Sequence, residues 1–151
     1  MLKHQLIQFT VMVIIGMLFN PMNMLAYKFD HLLSSLTLFY GGLLMASNMI
    51  WGHEIIHYLS MGHFNIRLFS FGVLLSLFVV IFLLRKQLFV TPKQWYKRMI
   101  PHHSTALTTS SILLKNNKDF VNKNPKLNKL VNDIIKTQES EIKIMKNMLK
   151  K

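Results

Sequence analysis

Three long apolar segments occupy the first 90 residues, and they constrain the fold of this chain more than any other feature. They read QLIQFTVMVIIGMLFNPMNMLAY from Gln5, LLSSLTLFYGGLLMASNMIW from Leu32 and LFSFGVLLSLFVVIFLL from Leu68. A helix needs about 20 mostly apolar residues to cross a bilayer, and 51% of the 151 residues are apolar. The sequence therefore predicts an integral, multi-pass membrane protein with transmembrane helices near residues 5–26, 32–58 and 67–89.

A polar, lysine-rich region begins at Arg85 and runs to Lys151, and it carries nearly all of the formal net charge of +12. Such charge would suit nucleic acid or an anionic lipid surface. Lysines on the solvent face of amphipathic helices beside anionic headgroups account for it as well. We therefore expect the lipid bilayer as a partner, and no nucleic acid.

The first part of this polar region is predicted to be a helix. Thr91 is suited to an N-cap, Pro92 to the first helical position and Gln94 to the third, which together form a capping box. The resulting helix should span residues 92–115. The sequence KNNKDFVNKNP then interrupts the pattern.

A second amphipathic helix is predicted over residues 125–149, because apolar side chains recur there at steps of three and four residues. A short connection between two such helices favours antiparallel packing of their apolar faces. The fold class is therefore all-α: three transmembrane helices and then an antiparallel helical hairpin. We place a membrane domain at residues 1–90 and the hairpin domain at residues 91–151.

Two adjacent histidines lie on the first hairpin helix. His102 falls on the same line as Met99, and His103 falls on the neighbouring line of apolar residues. From this spacing we expect both histidines to face the second hairpin helix.

The segment MIPHHSTA, from Met99, and the segment QESEIKIM, from Gln138, resemble a known family signature. Together they are similar to the M-x-P-H-H … Q-x-x-E-I-x-x-M pattern of the ferritin-like DUF305 family, some of whose members bind copper. The clear similarity covers residues 91–149. The several spans before the motif also resemble the membrane-bound branch of that family.

The resemblance implies a metal site in the hairpin. Position by position, it makes Met99, His102, His103 and Met145 candidate ligands, with Glu141 as a candidate oxygen ligand. Because His102 lies about one turn from Met99 on the same line, we predict that it is the stronger ligand and that His103 supports it or binds a metal shared with another subunit. A ferritin-like bundle has four helices, whereas this hairpin supplies two, or half a bundle. The other half would come from a second copy in a homo-oligomer or from the membrane helices, unless the chain does without it.

Side-chain chemistry favours copper independently of the resemblance. The chain has 11 methionines and seven histidines but no cysteine, which excludes thiolate and disulfide chemistry. Thioether sulfur favours Cu(I), and imidazole binds copper in either oxidation state. We therefore predict copper, with Cu(I) favoured, and keep zinc as the less favoured alternative.

A second candidate site lies in the second apolar segment, where methionine and histidine follow one another at steps of four residues. This places them along one helical face. The candidate metal ligands of this stripe are Met45, Met49, His53 and His57. The helix is drawn beyond the apolar run because these steps continue in phase as far as Met61.

The same stretch contains HExxH, the spelling of a zinc metallopeptidase, with Glu54 as the general base between His53 and His57. His63 stands at the third-ligand position of the extended form, but Ser60 replaces the glycine expected there. A peptidase also needs a substrate cleft, for which three spans and a hairpin leave little room. We therefore predict that the protein is not an enzyme and that Glu54 is not a catalytic base.

A channel or an accessory subunit of a membrane complex is the other alternative function. Met45 and Met49 resemble the pore motif of trimeric copper uptake channels, although the third span lacks the GxxxG motif of those channels. Gly41, Gly42 and Ala46 would then form a small-residue face for helix packing.

Features of the sequence argue in opposite directions about the side of the membrane on which the hairpin lies. Five basic residues follow the third span against one in the loop before it, so the positive-inside rule favours the cytoplasm. Soluble members of the family that the chain resembles are typically exported, and a Met/His site without cysteine suits an oxidising compartment. We expect the outer, periplasmic face.

Overall fold

The computed structural model describes residues 2–150, and this part of the chain is all-α with no strand, as the sequence predicts. The helices are α1 (Leu2–Leu18), α2 (Pro21–Met24), α3 (Leu36–Met61), α4 (Ile66–Phe78), α5 (Pro92–Asn116), α6 (Lys118–Lys123) and α7 (Pro125–Leu149). A 3₁₀ turn covers Phe29–His31, and α4 continues as a π-helix over Val79–Arg85.

The chain forms two compact units. The first contains Met1–Asn20 and Leu36–Val90, and the second contains Pro21–Ser35 and Thr91–Lys151. Residues 21–35 were predicted to belong to the membrane domain, whereas in the structure they pack with the hairpin. The hairpin therefore has a partner segment that the sequence did not indicate.

Within the described residues 2–150, two segments, rather than the three predicted, are long and apolar enough to cross a membrane: Gln5–Met24 and Ile66–Arg85. The span predicted over residues 32–58 does not qualify. Its helix, α3, starts only at Leu36, and its second half contains Asn48, His53 and Glu54, whose polarity lowers the mean hydropathy below that of a spanning segment.

The other two spans also end differently from their predicted bounds. The first, predicted over 5–26, is broken after Leu18, and Pro21 opens the short α2. Proline cannot donate the backbone hydrogen bond that would continue the preceding helix. The third, predicted over 67–89, ends as a helix at Arg85.

Glycines allow the helices of the first unit to approach closely. A Cβ atom added at Gly42 of α3 would lie 2.8 Å from the backbone oxygen of Val13 on α1. One added at Gly72 of α4 would lie 2.9 Å from the backbone nitrogen of Trp51 on α3. Helix α3 therefore packs against both α1 and α4 at positions where only glycine fits without displacement.

Buried hydroxyl groups add a polar contact between α3 and α4. The Ser76 hydroxyl lies 3.0 Å from Ser47 Oγ and 2.9 Å from Asn48 Oδ1. The Trp51 indole N–H approaches Ser76 Oγ at 3.3 Å. Such side-chain hydrogen bonds hold apolar helices in one register.

The helical hairpin of the second unit is confirmed almost to the residue. Predicted helices over 92–115 and 125–149 are observed as α5 and α7. The Thr91 side chain accepts a hydrogen bond from the Gln94 backbone N–H, as the capping box requires. Met99, near the start of α5, packs in the same core as Met145, near the end of α7, so the two helices are antiparallel.

Residues 21–35 pack on the hairpin through a buried serine. The backbone N–H of Tyr27 donates to Ser104 Oγ at 2.7 Å, and His31 Nδ1 lies 2.8 Å from the same oxygen. Ser104 is completely buried in the middle of α5. A polar atom at this depth requires hydrogen-bond partners, and the segment before α3 provides them.

Candidate metal-binding sites

Two methionines of the predicted hairpin site lie in the core between α5 and α7. Met145 is 5% exposed and belongs to a cluster with Ile100, Leu107 and Ile142, and Met99 packs against that cluster. Met145 is therefore shielded from water, and Met99 is partly buried. The antiparallel packing brings these sequence-distant residues into one cluster.

His103 and Glu141 meet one turn away from the methionines. His103 Nδ1 lies 2.9 Å from Glu141 Oε2, so the carboxylate is the polar partner of this buried ring nitrogen. Burial lowers the pKa of His103, while the nearby Glu141 carboxylate opposes the shift.

His102 points away from this group. Its side chain is exposed, and its ring centroid lies 5.8 Å from that of His103. The prediction that both histidines face the second hairpin helix is therefore wrong for His102. The buried face of α5 is centred on Ile100, Ser104 and Leu107, which places His103 at its edge and His102 outside it.

The four residues near the core form a regular arrangement. Met99 and His103 are four residues apart on α5, and Glu141 and Met145 are four residues apart on α7. In an antiparallel pair, Met99 lies toward Met145 and His103 lies against Glu141. Residues four apart are neighbours along one helical face, so two sulfurs, one imidazole nitrogen and one carboxylate lie within about two turns of each helix.

The stripe of α3 is observed as a row of largely exposed side chains. Met45 and Met49 are 45% and 43% exposed. The rings of His53 and His57 are stacked with centroids 6.0 Å apart. His57 Nδ1 lies 3.1 Å from the backbone oxygen of His63. In the neutral tautomer that donates from Nδ1, Nε2 keeps the lone pair that can bind a metal.

A cavity of about 640 Å³ in the first unit brings part of this stripe together with α1. Met49 and His53 line it from α3, and Met12 lines it from α1. Met12 is not among the ligands predicted from the sequence. The spacing of residues within α1 does not indicate that Met12 lies near the stripe, because that position depends on how α1 packs against α3.

Glu54 has a structural contact of its own. Its side chain is 8% exposed, and its Oε2 accepts a hydrogen bond from the backbone N–H of Asn65 at 3.0 Å. Asn65 is the N-cap of α4. Glu54 therefore ties the end of α3 to the start of α4, which accounts for its burial without a catalytic role.

Within residues 2–150, no group of three or more histidine, aspartate or glutamate side chains is close enough to hold a metal ion. His53, His57 and His63 thus do not converge as the ligands of an extended HExxH site would. Any metal site built from the predicted residues depends on methionine sulfur as well as on imidazole.

Comparison with known proteins shows to which family this chain is related. The profile of the family described as domain of unknown function (DUF305) matches residues 92–151. An uncharacterised protein of Acanthamoeba polyphaga mimivirus is 31% identical over 131 residues, which cover 86% of this chain and 81% of that relative. The chain belongs to the DUF305 family. No solved structure matches it.

The DUF305 region coincides with α5, α6 and α7 and contains the whole hairpin arrangement of Met99, His103, Glu141 and Met145. The stripe of α3 lies outside that region. Since the similarity to the mimivirus relative extends over 86% of the chain, it includes much of the first 91 residues as well. This family is ferritin-like.

Proposed function

We propose that this DUF305 protein is a membrane-anchored metal-binding protein that binds copper, with Cu(I) favoured, through methionine and histidine side chains. The observation that carries the proposal is the arrangement between α5 and α7. It combines the thioethers of Met99 and Met145 with the imidazole of His103, whose Nδ1 lies 2.9 Å from the Glu141 carboxylate.

With Nδ1 of His103 held by this carboxylate, Nε2 of the neutral ring is the nitrogen that would bind a metal. Two thioethers and an imidazole suit Cu(I), and zinc would rely more on the harder donors. Glu141 either supplies an oxygen ligand or holds the ring of His103 in position, as carboxylates commonly do beside metal-binding histidines.

Within this arrangement His103 takes the place of the principal imidazole ligand, and His102 does not. This order reverses the prediction from the sequence, in which His102 was the stronger ligand, because only His103 lies beside Glu141 and on the side of α5 that faces α7. The solvent-exposed His102 therefore offers a control that differs from His103 by one position in the chain.

The test is the Cu(I) affinity of the purified full chain, measured by competition with a chromophoric chelator. We expect His103→Ala and Met145→Leu each to weaken binding by at least about tenfold, equivalent to about 1.4 kcal/mol. His102→Ala should change it much less. Circular dichroism of each variant shows whether the hairpin is still folded. Unchanged affinity in all three variants would remove the hairpin as a copper site.

Membrane anchoring rests on the two apolar segments. Only 11% of the Gln5–Met24 segment and 17% of Ile66–Arg85 is buried within the chain. A core helix of a soluble protein would be mostly covered, whereas these helices expose large side chains such as Leu6, Phe71 and Leu74. Contiguous apolar surface of this kind is stable in lipid and costly in water.

We further propose that the hairpin lies on the outer face, where a site of methionine and histidine persists under oxidising conditions. Since the chain contains no cysteine, one cysteine introduced at the exposed position Lys129 gives an unambiguous label. Its reaction with an impermeant thiol reagent in intact cells supports the outer face. Protection until the cells are opened would place the hairpin inside.

Met12, Met49 and His53 make the cavity of the first unit a second candidate position for copper. Substituting Met49 with leucine in a variant that already lacks His103 tests it, because any copper that remains bound would then depend on this cavity. Loss of the residual copper binding supports a second site in this cavity. If the residual binding persists, the remaining copper is bound outside this cavity.

The two alternative functions have less support. Of the residues predicted as a packing face for another subunit, Gly42 and Ala46 are buried within the chain, whereas a Cβ added at Gly41 would meet nothing within 4 Å. Glu54, the candidate general base, accepts a hydrogen bond from the backbone N–H of Asn65. The copper-binding function is therefore the one that the geometry supports best.

A further inference from the structure

A second cavity, of about 440 Å³, lies in the second unit and is lined by basic side chains. Lys28 and His31 line it from the segment before α3, and Lys143, Lys146 and Lys150 line it from α7. The apolar side chains of Leu107 and Ile142 complete its wall. None of these residues belongs to the proposed copper arrangement.

The positive charge of this cavity is only partly compensated. Lys146 forms an ion pair with Asp30. Lys28, Lys143 and Lys150 form no ion pair with any residue of the described range 2–150, although the carboxylate of Glu139 also lines the cavity. Four lysines thus face one lining carboxylate and the paired Asp30.

Helix stability alone does not explain this convergence. Lysines near the C-terminus of α7 interact favourably with the helix dipole, which accounts for Lys146 and Lys150. Lys143, Lys146 and Lys150 share one face at steps of three and four, where like charges repel. Lys28 comes from a different segment, more than a hundred positions earlier in the chain, and still lines the same cavity.

The wall that carries Lys28 is held rigidly. Ser104 accepts the Tyr27 N–H, and its own hydroxyl hydrogen is then available to His31 Nδ1. A neutral His31 is consequently protonated on Nε2, which makes that atom a hydrogen-bond donor. His31 is only 5% exposed, and its Nε2 lies 3.7 Å from Asp30 Oδ1, so this ring is fixed beside the carboxylate that pairs with Lys146.

We propose that this cavity binds a phosphate group, carried either by a lipid headgroup or by a small soluble molecule. Lysine ammonium groups are common phosphate ligands, and several of them match the distributed charge of a phosphate better than that of a single carboxylate. The volume exceeds that of inorganic phosphate and leaves room for an attached organic group against Leu107 and Ile142. Asn147, which also lines the cavity, offers an uncharged donor.

The experiment measures binding of two probes to the metal-free full chain in non-ionic detergent at constant ionic strength. One probe is inorganic phosphate and the other is a short-chain phosphatidic acid. The test variant is Lys28→Gln with Lys143→Gln. The control is Lys129→Gln with Lys136→Gln, which removes the same charge from exposed positions of α7 outside the cavity.

We expect the cavity variant to weaken binding of at least one probe by roughly tenfold, and the control variant to weaken it by less than about twofold. Tighter binding of phosphatidic acid than of phosphate identifies a lipid headgroup as the source, and equal binding identifies a soluble phosphate. Equal losses in both variants, or no binding of either probe to the unaltered protein, would overturn the proposal. Because metal is absent, the result does not depend on copper binding.

Discussion

Gly41 and Gly42 are adjacent in α3 but have opposite surroundings, and they provide the sharpest test of the helix packing in the first unit. A Cβ atom added at Gly42 would lie 2.8 Å from the Val13 backbone oxygen and 3.2 Å from Met17 Cγ. One added at Gly41 would meet nothing within 4 Å. We therefore compare Gly42→Ala with Gly41→Ala.

The magnitudes follow from two opposing effects. In both variants alanine favours the helix over glycine by about 0.8–1.0 kcal/mol. At Gly42 this gain is opposed by overpacking, which costs about 1–3 kcal/mol. The close neighbour there is a backbone atom, which cannot rotate aside. Gly41→Ala should thus stabilise the protein, and Gly42→Ala should be less stable than Gly41→Ala by about 1–3 kcal/mol.

The assay is chemical unfolding of the full chain in detergent, followed by circular dichroism. Taking the difference in unfolding free energy between the two variants cancels the effects of detergent and of intrinsic helix propensity. If both variants are equally stable, or if Gly42→Ala is the more stable, then α1 and α3 do not meet at Gly42 and the cavity containing Met12 and Met49 is not formed as described.

Three further outcomes follow from the structure. Glu54→Gln should abolish no proteolytic activity, and loss of a measured cleavage in this variant would favour the zinc peptidase over copper binding. Ser104→Ala should lower the unfolding free energy by about 1–3 kcal/mol because it leaves the Tyr27 N–H unsatisfied, whereas Ser110→Ala on the same helix should change it by less than about 0.5 kcal/mol. Burial lowers the pKa of His31 from its ordinary value of 6.5. The unfolded chain therefore binds this proton more readily, and stability that is complete above pH 6.5 should decline as the pH falls below that value. A titration of unfolding free energy against pH should show a smaller decline in His31→Gln, and an unchanged decline would contradict the assignment.

The hairpin could be predicted from the sequence because its determinants are local. The cap at Thr91, the proline at position 92 and the regular apolar steps after Pro125 lie within the helices that they define. The observed bounds, Pro92–Asn116 and Pro125–Leu149, differ from the predicted ones by one residue at most.

The orientation of α5 about its axis could not be predicted in the same way. Apolar spacing placed both His102 and His103 toward α7, and the polar Ser104 was not among the residues predicted to face that helix. Ser104 is at the centre of the buried face because Tyr27 and His31, more than 70 positions earlier, form hydrogen bonds with it. That distant contact decides which histidine approaches Glu141.

The packing of residues 21–35 with the hairpin also restricts how the chain can be threaded through a bilayer. Two segments that form one folded unit must lie on the same side of the membrane. In the proposed membrane-anchored form, the chain between Ser35 and Thr91 would therefore cross an even number of times. That interval contains the long helices α3 and α4. A crossing by the apolar segment Ile66–Arg85 would then require α3 to cross with it, although α3 alone is not apolar enough to span a membrane.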